Sequence, residues 1–210
     1  MDTANFPFVG WAESSYEWVM ETVAAFKEWQ SVVAALASGR QALILRKGGI
    51  HEGRAGFSFA HDRFFLFPTR FHGQAECVRE FQHAPLPEWQ PGDEVPLTHY
   101  AEALWARTLT SAAVLDELAP FHIWTPATVA ERFAWEGKGM ATGSIHCALV
   151  RVYQLATPWM LEYGRMFAGC RSWVEVPAPP AGWRDALTPV LDDAEFGAIA
   201  ERVARVLGPV

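Results

Sequence analysis

The chain is poor in the features that staple small proteins or announce common enzymes. It has only three cysteines, Cys77, Cys147 and Cys170, and no two stand at the spacing of a zinc site or a redox pair. Free, mostly buried thiols in a reducing compartment are the expectation. Residues 1–9 have no basic stretch followed by an apolar run, so no secretory signal is read there, and the expected location is cytoplasmic. The charge-free stretch 118–130 is interrupted by Pro120, His122 and Pro126 and is too short to cross a bilayer, so no membrane partner is expected. The GxxxxGK[ST] phosphate loop, HExxH and the Gly-x5-Glu-x7-Arg-Glu box of nudix hydrolases are missing, and no Ser-His-Asp or Cys-His arrangement stands out. Those absences remove the commonest nucleotide-hydrolase and protease readings.

What the chain does have is apolar mass. Half of its 210 residues are hydrophobic, a fifth are charged, and there are ten tryptophans and fourteen phenylalanines. That is enough to build a packed interior without metals or disulfides. Trp is also enriched at binding and subunit surfaces, so an oligomer is one expected use of the surplus.

The net charge of −7 argues against a protein coated in nucleic acid on every face. The distribution is uneven, however. Between Arg40 and Arg79 seven basic residues stand against three acidic ones, an excess of four that leaves the rest of the chain at −11. A basic region inside an acidic protein suits a phosphate-bearing partner, and equally a charged strand edge.

Hydrophobic periodicity predicts a helix over residues 16–38, with Gly39 able to end it, and then a strand over 41–46. Two short strands are expected at 57–60 and 64–67, joined near His61, Asp62 and Arg63, and a helical turn or two at 76–81. The proline-rich segment 84–96 is the best boundary. Residues 97–110 fit strand or helix. Beyond them lie a helix at 111–118, a strand at 121–124, and a helix opened by Thr125 as N-cap with Pro126 in its first turn. Strands at 145–155 and 172–176 and an amphipathic helix at 193–207 complete the reading. The class is α+β: an N-terminal helix and β-hairpin lobe (16–83), a mixed C-terminal lobe with a small sheet or partial barrel (97–176), and a terminal helix (193–207), all compatible with one compact domain.

The turn formed by Arg46, Lys47, Gly48, Gly49, Ile50, His51 and Glu52 concentrates chemistry. Its glycines let backbone N–H groups approach a phosphate, and Arg46 and Lys47 neutralise it, with Arg70 nearby in sequence. His51 or Glu52 could move a proton if the protein is an enzyme, with Glu28 and His72 as further catalytic candidates. The bland alternative is a tight turn with exposed charges. His51, His61, His72 and His83 recur at nearly even spacing and, with Glu28 or Glu52, would make a metal site only if strand pairing gathered them; no metal ligand set is assigned. Glu136-Gly137-Lys138 with Asp116 upstream is the one match to a restriction-type acidic-x-Lys pattern, and its glycines favour a loop. A second cluster, His122, Trp124, Arg132, Arg151 and Trp173, has the composition of a base-stacking surface, against the alternative that both tryptophans are core and Arg151 pairs with Glu175.

Several segments together resemble the prokaryotic family called domain of unknown function 1802. They are the run from Ala42 to Glu52, Phe67-Pro68-Thr69 with His72, Phe121 to Thr125, Leu149 to Tyr153, and Gly169-Cys170-Arg171-Ser172-Trp173-Val174-Glu175, with Glu28-Trp29 upstream. The resemblance runs from about Phe26 to Val176. It implies an association with restriction-endonuclease-type proteins and so with restriction or defence against foreign nucleic acid; it implies no established activity. One departure is that Gly73 separates His72 from Gln74, where the family pattern is expected to place glutamine directly after histidine. The expectation is therefore a nucleic-acid-associated accessory protein with DNA or RNA as partner. The alternatives are a phosphoester hydrolase needing a divalent metal, and a non-catalytic assembly partner.

Overall fold

The computed structural model describes residues 21–47, 58–70, 72–80, 84, 86–134 and 139–208. Seven strands form one mixed sheet that does not close into a barrel. Its elements in chain order are β1 (Thr22–Trp29), α1 (Gln30–Ala37), β2 (Leu43–Arg46), β3 (Arg63–Thr69), α2 (Gln74–Cys77), β4 (Glu94–Leu109), α3 (Pro126–Phe133), α4 (Gly139–Thr142), β5 (Ile145–Glu162), β6 (Trp173–Pro177), β7 (Thr188–Pro189) and α5 (Asp193–Leu207). The spatial order is β2-β5-β4-β3-β1-β6, with β7 paired to β5. Strands from both sequence-defined lobes thus share one sheet. The β1–β3 pair is parallel, and the others are antiparallel.

The α+β class stands, but several elements differ from the sequence reading. The predicted first helix is half strand. Ala25, Phe26, Lys27 and Glu28 are all buried in β1. A central strand covered on both faces shows no alternation, so its apolar spacing passes for helical. The segment at 58–60 is not a strand, and β3 pairs with β1 and β4 instead of forming a hairpin with it. The helix expected at 111–118 contracts to a 3-10 turn (Ala112–Val114), and the strand at 121–124 to a single bridge between Val78 and Trp124. The ambiguous segment 97–110 is strand, paired along its length with β5.

Other local signals hold. The Thr125 side chain accepts from the Thr128 amide at the start of α3, with Pro126 in the first turn. Gly39 follows α1 with φ +71°, a conformation that costs a residue with a Cβ about 1 kcal/mol or more. The terminal helix stands at 193–207 as read, and the structure adds a capping box between Asp192 and Glu195 at its start.

The sheet has a core on each face. Alternate residues of β3 divide between them: Phe64 and Leu66 face one, Phe65 and Phe67 the other. The first core gathers Phe26, the β2 residues Leu43, Ile44 and Leu45, α1, Trp124, Phe133 and α5. The second holds Val95, Leu97, Tyr100, Phe167 and Val176. Truncating one of the fully buried phenylalanines, such as Phe64, to alanine costs about 3–5 kcal/mol. No helix among the described residues is long and apolar enough to cross a membrane.

Candidate functional site

The sheet curls so that the end of β2, an edge strand, approaches the β1–β6 edge. Arg46 bridges the gap. Its Nη1 lies 3.3 Å from Glu28 Oε2, and its Nη2 donates to Ser172 Oγ just ahead of β6. Glu28 is buried, and its Oε1 also accepts from the Trp29 amide at 2.8 Å. Beside this bridge opens a cavity of about 670 Å³. Lys27, Trp29, Arg46, Phe67 and Thr69 supply its strand-borne lining, and Arg70 follows directly after β3. Residues 87–91, ahead of β4, form one rim, and residues 163–171, between β5 and β6, form the other. The two rims are tied together: Gly92 donates to the Tyr163 carbonyl at 3.0 Å, and the Tyr163 amide to the Asp93 carbonyl at 2.7 Å.

Lys27 anchors the second rim. Its Nζ donates to the carbonyls of Phe167 and Gly169, each at 2.6 Å. Burial, with the nearby Arg171 and Arg46 charges, holds its ammonium below the usual lysine range, against a smaller opposing effect of Cys170. Arg70, Arg165 and Arg171 are exposed on the lining and make no ion pair among the described residues. Among the described residues Glu88 is the one acidic side chain on the lining, against Lys27, Arg46, Arg70, Arg165 and Arg171. Trp29, Trp89 and Tyr163 contribute aromatic surface. Such a concavity can hold an anion beside a flat ring.

Of the expected site residues, this cavity gathers Arg46 and Arg70, with Glu28 behind Arg46. Gly48, Gly49, His51 and Glu52 lie outside the described residues, as do His83, Glu136, Gly137 and Lys138. Lys47 is half-buried, its ammonium lowered chiefly by burial. His72 is exposed and not on the cavity lining. Gln74, one residue further from His72 than the family pattern leads one to expect, is buried, and its Oε1 accepts from the Ser31 amide and hydroxyl. Among the described residues no group of three or more His, Cys, Asp or Glu side chains gathers to hold a metal.

The second cluster is divided. His122, Trp124 and Arg132 are buried. The Arg132 guanidinium sits 3.6 Å above the Trp124 ring and 5.0 Å above that of Trp29, and donates to the Leu45 carbonyl at 2.8 Å. Desolvation lowers it to about 10. The buried Trp124 ring thus already carries protein on its face, so stacking a base on it would require Arg132 to leave. Arg151 pairs with Asp193 of α5, not with Glu175, which instead accepts from the Thr22 hydroxyl. Trp173 packs on Phe26 and Phe64 and donates to the Ser58 carbonyl at 3.0 Å.

Sequence reasoning missed Lys27, Trp89, Tyr163, Arg165 and Arg171. Lys27 looks like part of a solvated helix face, and Trp89 sits in the proline-rich stretch read as a boundary. Arg171 falls within the Gly169–Glu175 segment that carries the family resemblance.

A family model described as "Domain of unknown function (DUF1802)" matches residues 25–202. The chain belongs to that family. The match runs from within β1 through most of α5, and so takes in every described segment that lines the cavity. No curated protein matches. Among solved structures, a serine-to-alanine mutant of the ASCH protein from Zymomonas mobilis is similar at 15% identity, with 85% of this chain and 94% of that chain covered and a TM-score of 0.42. The unmutated ASCH structure from the same organism is similar at 14% identity, with 85% and 93% covered and a TM-score of 0.40.

Proposed function

We propose that this protein binds nucleic acid through the cavity between residues 87–91 and 163–171, as an accessory of a restriction or defence system. The observation that carries the binding is the charge of the lining: among the described residues, five cations against one carboxylate, in a chain whose net charge is −7. Three of those cations, Arg70, Arg165 and Arg171, are exposed and have no acidic partner among the described residues, which suits phosphate contacts. Trp29, Trp89 and Tyr163 offer ring surface for an unstacked base. The restriction or defence setting rests on the family association alone.

The test is binding of labelled DNA and RNA oligonucleotides, single- and double-stranded, followed by fluorescence anisotropy across a salt series. Affinity is expected to fall linearly with salt on a log–log plot, with a slope of roughly 0.7–0.9 per phosphate contacted. An Arg70→Ala, Arg171→Ala double variant is expected to weaken binding at least about tenfold. No binding to any of these at low salt would sink the reading.

A further inference from the structure

The cavity has a deep end, and its chemistry is more specific than a general affinity for phosphate. Lys27 is 8% exposed and lines it. An ammonium has three hydrogens to donate. Two of them go to the Phe167 and Gly169 carbonyls, which fix the nitrogen in place, and the third meets no acceptor among the described residues. Arg171 and Arg46 lie close enough for both charges to disfavour protonation of Lys27. The Lys27 amide donates to the Ser172 carbonyl and Arg46 to the Ser172 hydroxyl, next to Arg171, so three cationic residues line the same part of the cavity. Glu28, behind Arg46, offsets one of them, and Glu88 belongs to the segment 87–91. Among the described residues the cluster thus carries more positive than negative charge, which favours entry of an anion, and the more charge that anion carries the greater the gain.

Size narrows the ligand. About 670 Å³ is the volume of a site for one small molecule, so it has room for a nucleotide unit with its phosphate but none for a duplex. An internal phosphodiester carries one negative charge, whereas a phosphomonoester carries about 1.5 to 2 at neutral pH. Trp29 and Trp89 stand on the same lining, where a base attached to that phosphate can meet them.

We infer that the deep end of the cavity at Lys27, with Arg46 and the exposed Arg171 beside it, is a subsite for a phosphomonoester: the terminal phosphate of an unpaired nucleotide, either free or at the end of a single strand. This rests on the nucleic-acid reading above and adds to it a selectivity for ends over interiors.

The experiment compares one single-stranded oligonucleotide in four forms, with a 5′-phosphate, a 3′-phosphate, hydroxyls at both ends, and circularised, together with adenosine and guanosine 5′-monophosphates as competitors. One phosphorylated form is expected to bind at least about tenfold more tightly than the hydroxyl and circular forms, the ratio that one well-placed charged contact contributes. Lys27→Gln, which keeps two hydrogens for the carbonyls, is expected to erase that preference. Because Lys27 also holds the rim, Arg171→Gln, at an exposed position, serves as the second variant and is expected to reduce the preference with an unchanged melting temperature. Mononucleotides that compete as well as the phosphorylated strand assign the site to free nucleotides; poor competition assigns it to strand ends. Equal binding of all four strands overturns the inference and leaves the nucleic-acid reading standing, while no binding of any strand or nucleotide overturns both.

Discussion

Arg46 on the edge strand β2 forms an ion pair of 3.3 Å with Glu28 on β1, four places away in the sheet order, and the Glu28 side chain is wholly buried while that of Arg46 is 19% exposed. This pair spans the gap that the curled sheet leaves open, and the guanidinium reaches the cavity lining. Arg46 is thus both a wall of the candidate site and a structural strut.

Removing Arg46 leaves a buried carboxylate without its cation, which costs about 3–5 kcal/mol. Arg46→Ala is therefore expected to lower stability by that amount in urea denaturation, and its loss of ligand binding would partly report misfolding. Glu28→Gln combined with Arg46→Met removes both charges and is expected to recover most of the stability. A stability loss for Arg46→Ala below about 1 kcal/mol would show that the pair is not the strut described.

Arg70 and Arg171 test the cavity more cleanly, because both are exposed. Each single alanine variant is expected to change stability by no more than about 0.5 kcal/mol. Each is also expected to reduce the salt slope of nucleic-acid binding by about 1. Unchanged slopes in both variants would remove these arginines from the interface.

His122 predicts an acid sensitivity. Its ring nitrogens are buried without partners, and burial, helped by Arg79 and Arg132, pulls its pKa from 6.5 to about 4. Between those values the unfolded chain binds the proton and the folded chain does not, so stability present above pH 6.5 is lost as pH falls toward 4. The contribution is about 3 kcal/mol. His122→Phe, which replaces the unpaired ring by an apolar one, is expected to flatten this dependence in melts between pH 7 and pH 4. A parent and variant with parallel pH profiles would refute it.

Lys27 predicts opposite trends for stability and binding at alkaline pH. Its folded pKa lies below its unfolded value of 10.5, so between the two the unfolded chain holds more protons and stability rises with pH. A neutral amine retains two hydrogens, enough for the Phe167 and Gly169 carbonyls, but loses the one left for an anion. Ligand affinity is expected to fall over the same range. Lys27→Gln should show neither trend, measured by thermal melts and anisotropy from pH 7 to pH 10.5.

Legibility from sequence followed how local the determining interactions are. The N-cap at Thr125 and the terminal amphipathic helix were readable because each is settled by residues a turn or so apart in the chain. β1 was not. Its polar residues Lys27 and Glu28 look like the wet side of an amphipathic helix, yet both are buried because distant partners satisfy them, the Phe167 and Gly169 carbonyls and Arg46. In the site, Arg46, Arg70 and Glu28 stood out through charge and family pattern. Arg165 and Arg171 lie almost a hundred residues or more along the chain from them, and no spacing rule links such positions.

What the sequence determined by itself is the class of the fold, the family, the ends of the capped helices and the uneven charge that sets residues 40–79 apart. Propensity, periodicity and composition act over a few residues, and those features need nothing more. Tertiary structure decided that, of the basic segment, Arg46 and Arg70 reach one cavity at an end of the curled sheet, and that Lys27 is tethered there with one hydrogen left over among the described residues. It also decided that residues 163–171 bring two further arginines to the same concavity. Charges separated in sequence sum to a site only where strand pairing and burial place them within reach of one another, and that placement belongs to the whole chain.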